Sequence, residues 1–398
     1  MIAADDAKTL ETKRHFWMND REALLGIVIL LIIVGSLNVF SSSFIIADTN
    51  YGSPYFFIKK HGINLLIGLF VFAFAVRVDY HKWRDWMLFI TGAVILGLIL
   101  VLIFGEYING AQRWLSLKFM TVQPAEFAKI VTIFVEASYI ASRVSKGRPA
   151  VIFHKQIIIY GVMAFLIERE PDGATMAIVA GIPMVMLLIS NMPKKQKIGL
   201  IVVGILSVIG ICILQPYRME RIITMLDPWS DPMDTGYQVV QSLSAIGSGG
   251  LFGMGIGVGI SKYNYLPEGH TDFAFAIWSQ EIGFVGVIIV LALFAAFAYY
   301  GVKIANSAKD PLGQMLGFGL TALIIIQAVA NMFMVAGWMP VIGVPLPFIS
   351  YGGSSLLTNL WAIGIIMNIG MQAAPPKMLV TSAPPKDVFG RPTLKRVK

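Results

Sequence analysis

Long apolar runs recur along the chain, and each is closed by a short polar or charged segment. Ten can be placed, near 22–43, 61–76, 86–104, 124–141, 155–168, 174–190, 198–214, 273–304, 312–338 and 353–372. A helix needs about 20 predominantly apolar residues to cross a bilayer, so the pattern predicts an all-α polytopic membrane protein with ten transmembrane helices. The fifth and sixth runs are short and joined by the charged turn Glu168-Arg169-Glu170-Pro171-Asp172; the eighth is long enough to break or to emerge from the membrane. The pattern lapses for longest between the seventh and eighth runs, at 215–272. It divides the chain into a tail at 1–21, a membrane domain at 22–372 and a second tail at 373–398.

Composition agrees. Of 398 residues, 56% are apolar and 14% charged, against about 25% charged in soluble domains. The net charge of +8 is no nucleic-acid signal, because the basic residues sit in short loops. Of the 31 Lys and Arg, 22 fall on one side of the predicted spans, 8 on the other, and Lys129 inside a span. The positive-inside rule then puts both termini in the cytoplasm and the segments 105–123, 215–272 and 339–352 outside. The acids in the first 21 residues, and the lack of a small-residue cleavage pattern after the first run, argue against a cleaved signal peptide. A single cysteine, Cys212, excludes an intramolecular disulfide. The second tail, with two Pro-Pro pairs and scattered Lys and Arg, reads as disordered and able to touch anionic lipid.

The residues that can carry chemistry cluster at the outer ends of the runs. Asp272, flanked by Glu268, His270 and Thr271, stands where a polar, Gly-rich segment meets the eighth run. An acid at the mouth of a membrane helix is costly to desolvate and is a functional candidate by default. Thr271 is placed to cap that helix. Low dielectric would raise the pKa of Asp272, while a helix N-terminus or a nearby cation would lower it. Glu281, nine residues on, falls about half a turn out of phase and reads as a bundle contact. In the fourth run, Pro124 suits the first helical position, Glu126 falls in its first turn, and Glu126, Lys129 and Glu136 share an arc of roughly 80°. That stripe faces either a site or a structural pairing partner. Arg113, beside Trp114, is suited to a phosphate or pyrophosphate headgroup or to interfacial anchoring. Asp172 reads as a helix cap. Arg218, Arg221 and Lys262 are further cations of the long loop. The glycines between 247 and 259 lack the βαβ context of a nucleotide loop and suit backbone packed close to a ligand or to neighbouring spans. The segment from Ser350 to Ser355, with Gly352 and Gly353, offers hydroxyls and backbone donors to a sugar or phosphate, or forms a re-entrant wall. No zinc pattern, P-loop or nucleophile elbow occurs.

Six stretches together resemble the SEDS family of bacterial proteins, FtsW, RodA and SpoVE: NGAQRWL at 109–115, QPAEFAK at 123–129, EPDGAT at 170–175, GYQVVQSLSAIGSGGLFGMG at 236–255, YLPEGHTDFAFA at 265–276 and PLPFISYGGSS at 345–355. Ala174 stands where the family often has Gly, and Gln280 where an acid is common. The resemblance leans to the FtsW/SpoVE type. It implies a peptidoglycan glycosyltransferase that polymerises lipid II at the outer face of the bacterial cytoplasmic membrane, with a class B penicillin-binding protein as partner. The family's catalytic acid falls on Asp272, and its sensitive Glu and Lys on Glu126 and Lys129. Arg113, Glu268, His270, Lys262, Gln241, Ser350, Gly352 and Gly353 are expected to bind or support substrate. No cofactor is assigned, although a divalent cation, Mg or Mn, would suit a pyrophosphate leaving group. Two other functions remain open at this point: a lipid II flippase using the stripe Glu126, Lys129 and Glu136, and a non-catalytic division scaffold.

Overall fold

The computed structural model describes residues 19–373 except 109–110, 118–119 and 264. The tails at 1–18 and 374–398 lie outside the described residues. In chain order the elements are α1 (Asp20–Tyr51), α2 (Phe56–Arg77), α3 (Tyr80–Phe104), β1 (Glu106–Ile108), β2 (Ala111–Leu117), β3 (Met120–Val122), α4 (Pro124–Ser145), α5 (Ile157–Arg169), α6 (Gly173–Ile189), α7 (Lys194–Leu214), α8 (Pro216–Leu226), α9 (Tyr237–Gly249), α10 (Ala274–Asn306), α11 (Pro311–Val335) and α12 (Gly353–Gln372). A helix covers each of the ten apolar runs. Seven of them, α1, α2, α3, α7, α10, α11 and α12, are long and apolar enough to cross a membrane. Several begin earlier than the apolar pattern suggests: α1 runs through a polar first turn, α2 starts at Phe56 and carries Lys59 and Lys60 into the helix, and α3 starts at Tyr80, where Asp79 accepts a bond from the backbone N–H of His81.

The all-α expectation needs one correction. The segment between α3 and α4 forms a three-stranded antiparallel sheet, β1-β2-β3. Strands of three, seven and three residues are too short to leave a readable alternation, and pairing satisfies backbone groups that would otherwise lack partners.

α12 lies at the centre. It is buried along nearly its whole length and packs on α2, α11, α10 and α4. α4 is almost as enclosed, hence its tolerance of Glu126, Lys129 and Glu136. α7 is the opposite case: Leu200 is the only one of its described residues that is buried, and its main helix contacts are with α6 and α8.

α10 is not one straight helix. Gly283 has φ 76° and ψ −164°, which breaks the ladder inside the apolar run. The Gly-rich segment after α9 repairs the damage. Met254 N–H donates to Gln280 O at 3.0 Å and Gly255 N–H to Glu281 O at 3.0 Å; Phe284 N–H donates to Gly250 O at 2.9 Å and Val285 N–H to Leu251 O at 3.1 Å. Broken backbone at membrane depth persists only where protein re-satisfies it. The approach leaves no room for side chains: a Cβ on Gly253 (φ +79°) would sit 2.1 Å from Glu281 O, and one on Gly249 would sit 2.2 Å from Ser279 O. The glycines are therefore spacers between two backbones. Glu281 also helps to fix the junction. Buried Lys262 pairs with it at 2.8 Å, and Ser41 of α1 donates to both carboxylate oxygens.

Gly253→Ala is expected to lower stability by at least about 2 kcal/mol, from strained backbone plus overpacking. Gly247→Ala, on a helical site with open space around it, should be neutral or stabilise by up to about 1 kcal/mol. Thermal unfolding of the purified variants in one detergent checks both signs.

Candidate functional site

The end of the bundle that carries Asp272 gathers the sheet with the start of α4, the α5–α6 turn, the α8 region, the turn before α10 and the loop after α11. Asp272 lies in the turn just before α10. Phe273, not Thr271, is the N-cap of that helix, and no side chain caps it. Thr271 is bound instead within its own turn, its hydroxyl donating to Glu268 Oε2 at 2.6 Å and its N–H to Glu268 O at 3.2 Å. The main chain of Asp272 is pinned by Asn331 of α11, whose amide nitrogen donates to Asp272 O and to Val344 O, both at 2.7 Å. Gly343, at φ +63°, passes close enough that a Cβ there would stand 3.4 Å from Asp272 Oδ2.

Asp272 is half-buried. Burial, reinforced by the negative charges of Glu268 and Asp172, raises its pKa to about 7, while Arg113 and Arg221 pull the other way. A carboxyl balanced near neutrality can both take and give a proton at physiological pH.

Both arginines act as clasps. Arg113, on β2, donates through Nε to Glu170 O at 3.1 Å and through Nη2 to Pro171 O, holding the α5–α6 turn. Arg221, on α8, donates to Val341 O at 2.5 Å, holding the loop after α11. Arg218, one turn away, pairs with both carboxylate oxygens of Glu168 at 2.7 and 2.8 Å. Asp172 caps α6, accepting from Thr175 N–H at 3.0 Å, and also accepts from Gln123 Nε2 at 3.0 Å. Buried Glu170 is pushed up to about 8, first by burial and then by Asp172, with Arg113 opposing.

The remaining expected residues divide. Glu126 and Lys129 form a buried ion pair at 2.7 Å in the first turns of α4, with the Thr358 hydroxyl donating to Glu126 at 3.3 Å. Glu136 separates from them and meets the Tyr160 hydroxyl and His154 further down the helix. Glu268 and His270 belong to the Asp272 turn. His270 lies tilted against Phe57, at 4.7 Å between centroids, and its carbonyl accepts from Tyr351 N–H; burial lowers its pKa, with Glu268 opposing. Lys262 is engaged by Glu281 and Ser41 at the α10 break rather than beside Asp272. Gln241 lies half-buried on α9. Ser350 is buried, and its hydroxyl accepts from Leu346 N–H at 2.9 Å, closing the loop on itself. Gly352 and Gly353 start α12, where a Cβ on Gly353 would meet Asn64 at 2.7 Å. The positioning role of Asn331 was missed; a lone Asn in an apolar run was the available signal. Among the described residues, no three His, Cys, Asp or Glu side chains are grouped to hold a metal ion.

A family model described as cell cycle protein, covering FtsW, RodA and SpoVE, matches residues 21–374. Stage V sporulation protein E of Bacillus subtilis is 36% identical over 352 residues, spanning 87% of this chain and 95% of that protein. A probable peptidoglycan glycosyltransferase FtsW of Geobacter sp. strain M18 is 36% identical over 353 residues, with the same shares. Among solved structures, a chain from a peptidoglycan synthase complex that coordinates polymerization and crosslinking matches with TM-score 0.73 and 26% identity, over 90% of this chain and 99% of that one. The rod shape determining protein RodA of Thermus thermophilus matches in fold, with TM-score 0.64 and 23% identity, over 88% and 97%.

Two outcomes are expected from this geometry. Between the unfolded carboxyl value and about 7 the folded chain keeps a proton on Asp272 that the unfolded chain releases, so stability falls as pH rises through that window. Asp272→Asn should therefore stabilise the protein by up to about 3 kcal/mol at about pH 8, and by less at about pH 5; thermal unfolding at the two pH values reads this. Lys129→Met leaves Glu126 buried without a counter-charge and should cost about 3–5 kcal/mol. Adding Glu126→Gln should restore most of that loss in the same assay.

Proposed function

Because the chain belongs to the FtsW/RodA/SpoVE family, we propose that it is a peptidoglycan glycosyltransferase that polymerises lipid II, with Asp272 as the general base. The observation that carries the assignment of the base is the placement of Asp272: half-buried, fixed through its own backbone, and within the electrostatic reach of Arg113 and Arg221 at one end of the bundle. The reading takes all ten helices over the apolar runs as crossing the membrane, with 1–21 and 373–398 as cytoplasmic tails and 215–272 as the large outer loop.

In the reaction, Asp272 takes the proton of the acceptor's C4 hydroxyl as that oxygen attacks the anomeric carbon of the growing chain. The bond to undecaprenyl pyrophosphate breaks, and the pyrophosphate leaves with the electron pair. Passing from an α-linked pyrophosphate to a β-linked sugar is one inversion, so a single base suffices. Negative charge grows on the leaving oxygen, and fixed positive groups lower its energy. Arg113 and Arg221 supply that field at Asp272; Lys129 is buried and committed to Glu126. A Mg or Mn ion carried by the pyrophosphate needs only one or two protein carboxylates. Among the described residues no three carboxylate, imidazole or thiol side chains are grouped as a cage, so such an ion would be held chiefly by the pyrophosphate itself.

The partner is a class B penicillin-binding protein, a reading supported by the similarity to a chain of a peptidoglycan synthase complex. The flippase alternative gains no support. Glu136, its deepest element, is fully buried and held by Tyr160 and His154 rather than lining a path. The FtsW/SpoVE branch is favoured over RodA by the higher identity of those relatives.

Wild type and Asp272→Asn, each purified with the partner, are to be incubated with labelled lipid II. The variant should lose at least about 100-fold in polymerisation rate, and the wild-type rate should rise with pH to a plateau above about 7. Equal polymer yields from the two proteins would remove Asp272 from the chemistry.

A further inference from the structure

At the end of the bundle opposite Asp272, two loops are knitted together. Ala150 N–H donates to Asn191 Oδ1 at 3.1 Å, Ile152 N–H donates to Gln196 Oε1 at 3.1 Å, and Asn191 Nδ2 donates to Arg148 O at 3.3 Å. The α4–α5 loop and the α6–α7 loop thus present one surface. It exposes Lys146, Arg148, Lys155, Lys194 and Lys195. Residues 142–156 and 190–197 contain no Asp or Glu, so nothing within either loop neutralises these cations. Phe153 stands on the same surface at 90% exposure.

Next to this surface, between the last two turns of α6 and the middle of α7, lies a cleft of about 390 Å³. Its lining includes Met184, Leu188, Leu200, Ile201, Ile205 and Val208. The cleft exists because α7 barely packs on the bundle and because Gly204 carries no side chain. A Cβ there would reach only the mobile end of Met184, at 3.3 Å. An apolar slot that opens beside a cationic rim with no acid in either loop fits one chemistry: acyl chain in the slot, anionic headgroup on the rim. A soluble anion has no use for the slot, and a neutral lipid none for the rim.

We propose that the α6–α7 cleft and the knitted loops form a binding site for an anionic glycerophospholipid of the leaflet on that face. Basic residues near a bilayer attract acidic headgroups, and the aromatic ring of Phe153 is suited to the interface. The site is remote from Asp272 and does not depend on the polymerase assignment.

Native mass spectrometry of the full-length protein tests it, using detergent doped equally with phosphatidylglycerol and phosphatidylcholine of identical chains. Wild type should retain phosphatidylglycerol with about tenfold preference. The combined variant Arg148→Gln, Lys194→Gln, Lys195→Gln should lose the preference, while Lys194→Arg, Lys195→Arg should keep it. Gly204→Phe, which fills the slot, should retain less of either lipid. Equal retention of the two lipids by wild type, or an unchanged preference in the Gln variant, overturns the proposal. Should the Gln variant not fold, a phosphatidylglycerol bearing a photoreactive acyl chain decides on wild type. Labelling of α6 and α7 around Gly204 supports the site, and labelling confined to other helices refutes it.

Discussion

A backbone interrupted within a bilayer must find every hydrogen bond again, because hydrocarbon offers none. That constraint shapes the half of the molecule where the chemistry is placed. Gly283 cuts α10, leaving a short buried half-helix from Ala274 with Asp272 just before it. The segment 250–255 supplies the missing donors and acceptors, and Trp278 adds a bond across the break to Gly286 O. The run of glycines, the Lys262–Glu281 pair and the position of Asp272 are consequences of the same repair.

Around the carboxyl the electrostatics are balanced, not extreme. Two acids and low solvation favour the proton; two arginines oppose it. Each arginine also spends its donors on backbone carbonyls of a neighbouring turn, so the field at Asp272 is held in place by the architecture. Fixed dipoles and charges of this kind need no reorganisation when charge develops, which is where electrostatic catalysis gains most.

Much of this was readable before any coordinates. A helix lies over each apolar run, and seven of these helices are long and apolar enough to cross a bilayer, because the length of a crossing leaves a signal that tertiary packing rarely overrides. Pro124 and Glu126 opened α4 as expected, and Asp172 capped α6. The small sheet was not visible, since its pairing is set by neighbours instead of by periodicity. Lys262 was read as a loop cation that would bind or support substrate; the fold carries it to Glu281, a partner that helical phase alone could not reveal. Thr271 looked like a cap because it precedes the apolar run, yet the helix begins only at Ala274 with Phe273 at the N-cap, and the Thr271 hydroxyl donates to Glu268 within its own turn. Asn331 was overlooked because its role depends on two loops meeting it from either side.

α7 contributes one more consequence. With a single buried residue among those described, its angle to the rest of the bundle is set less by protein contacts than by the hydrocarbon around it. Its 21 residues span roughly 30 Å, so in a thinner membrane it can lean without disturbing α12. Hydrophobic mismatch costs only fractions of a kcal/mol per Å, but α7 runs through Gln215 straight into α8, whose Arg218 and Arg221 hold two of the turns around Asp272. A lean of α7 imposed by a thinner bilayer would thereby reach the turns around Asp272.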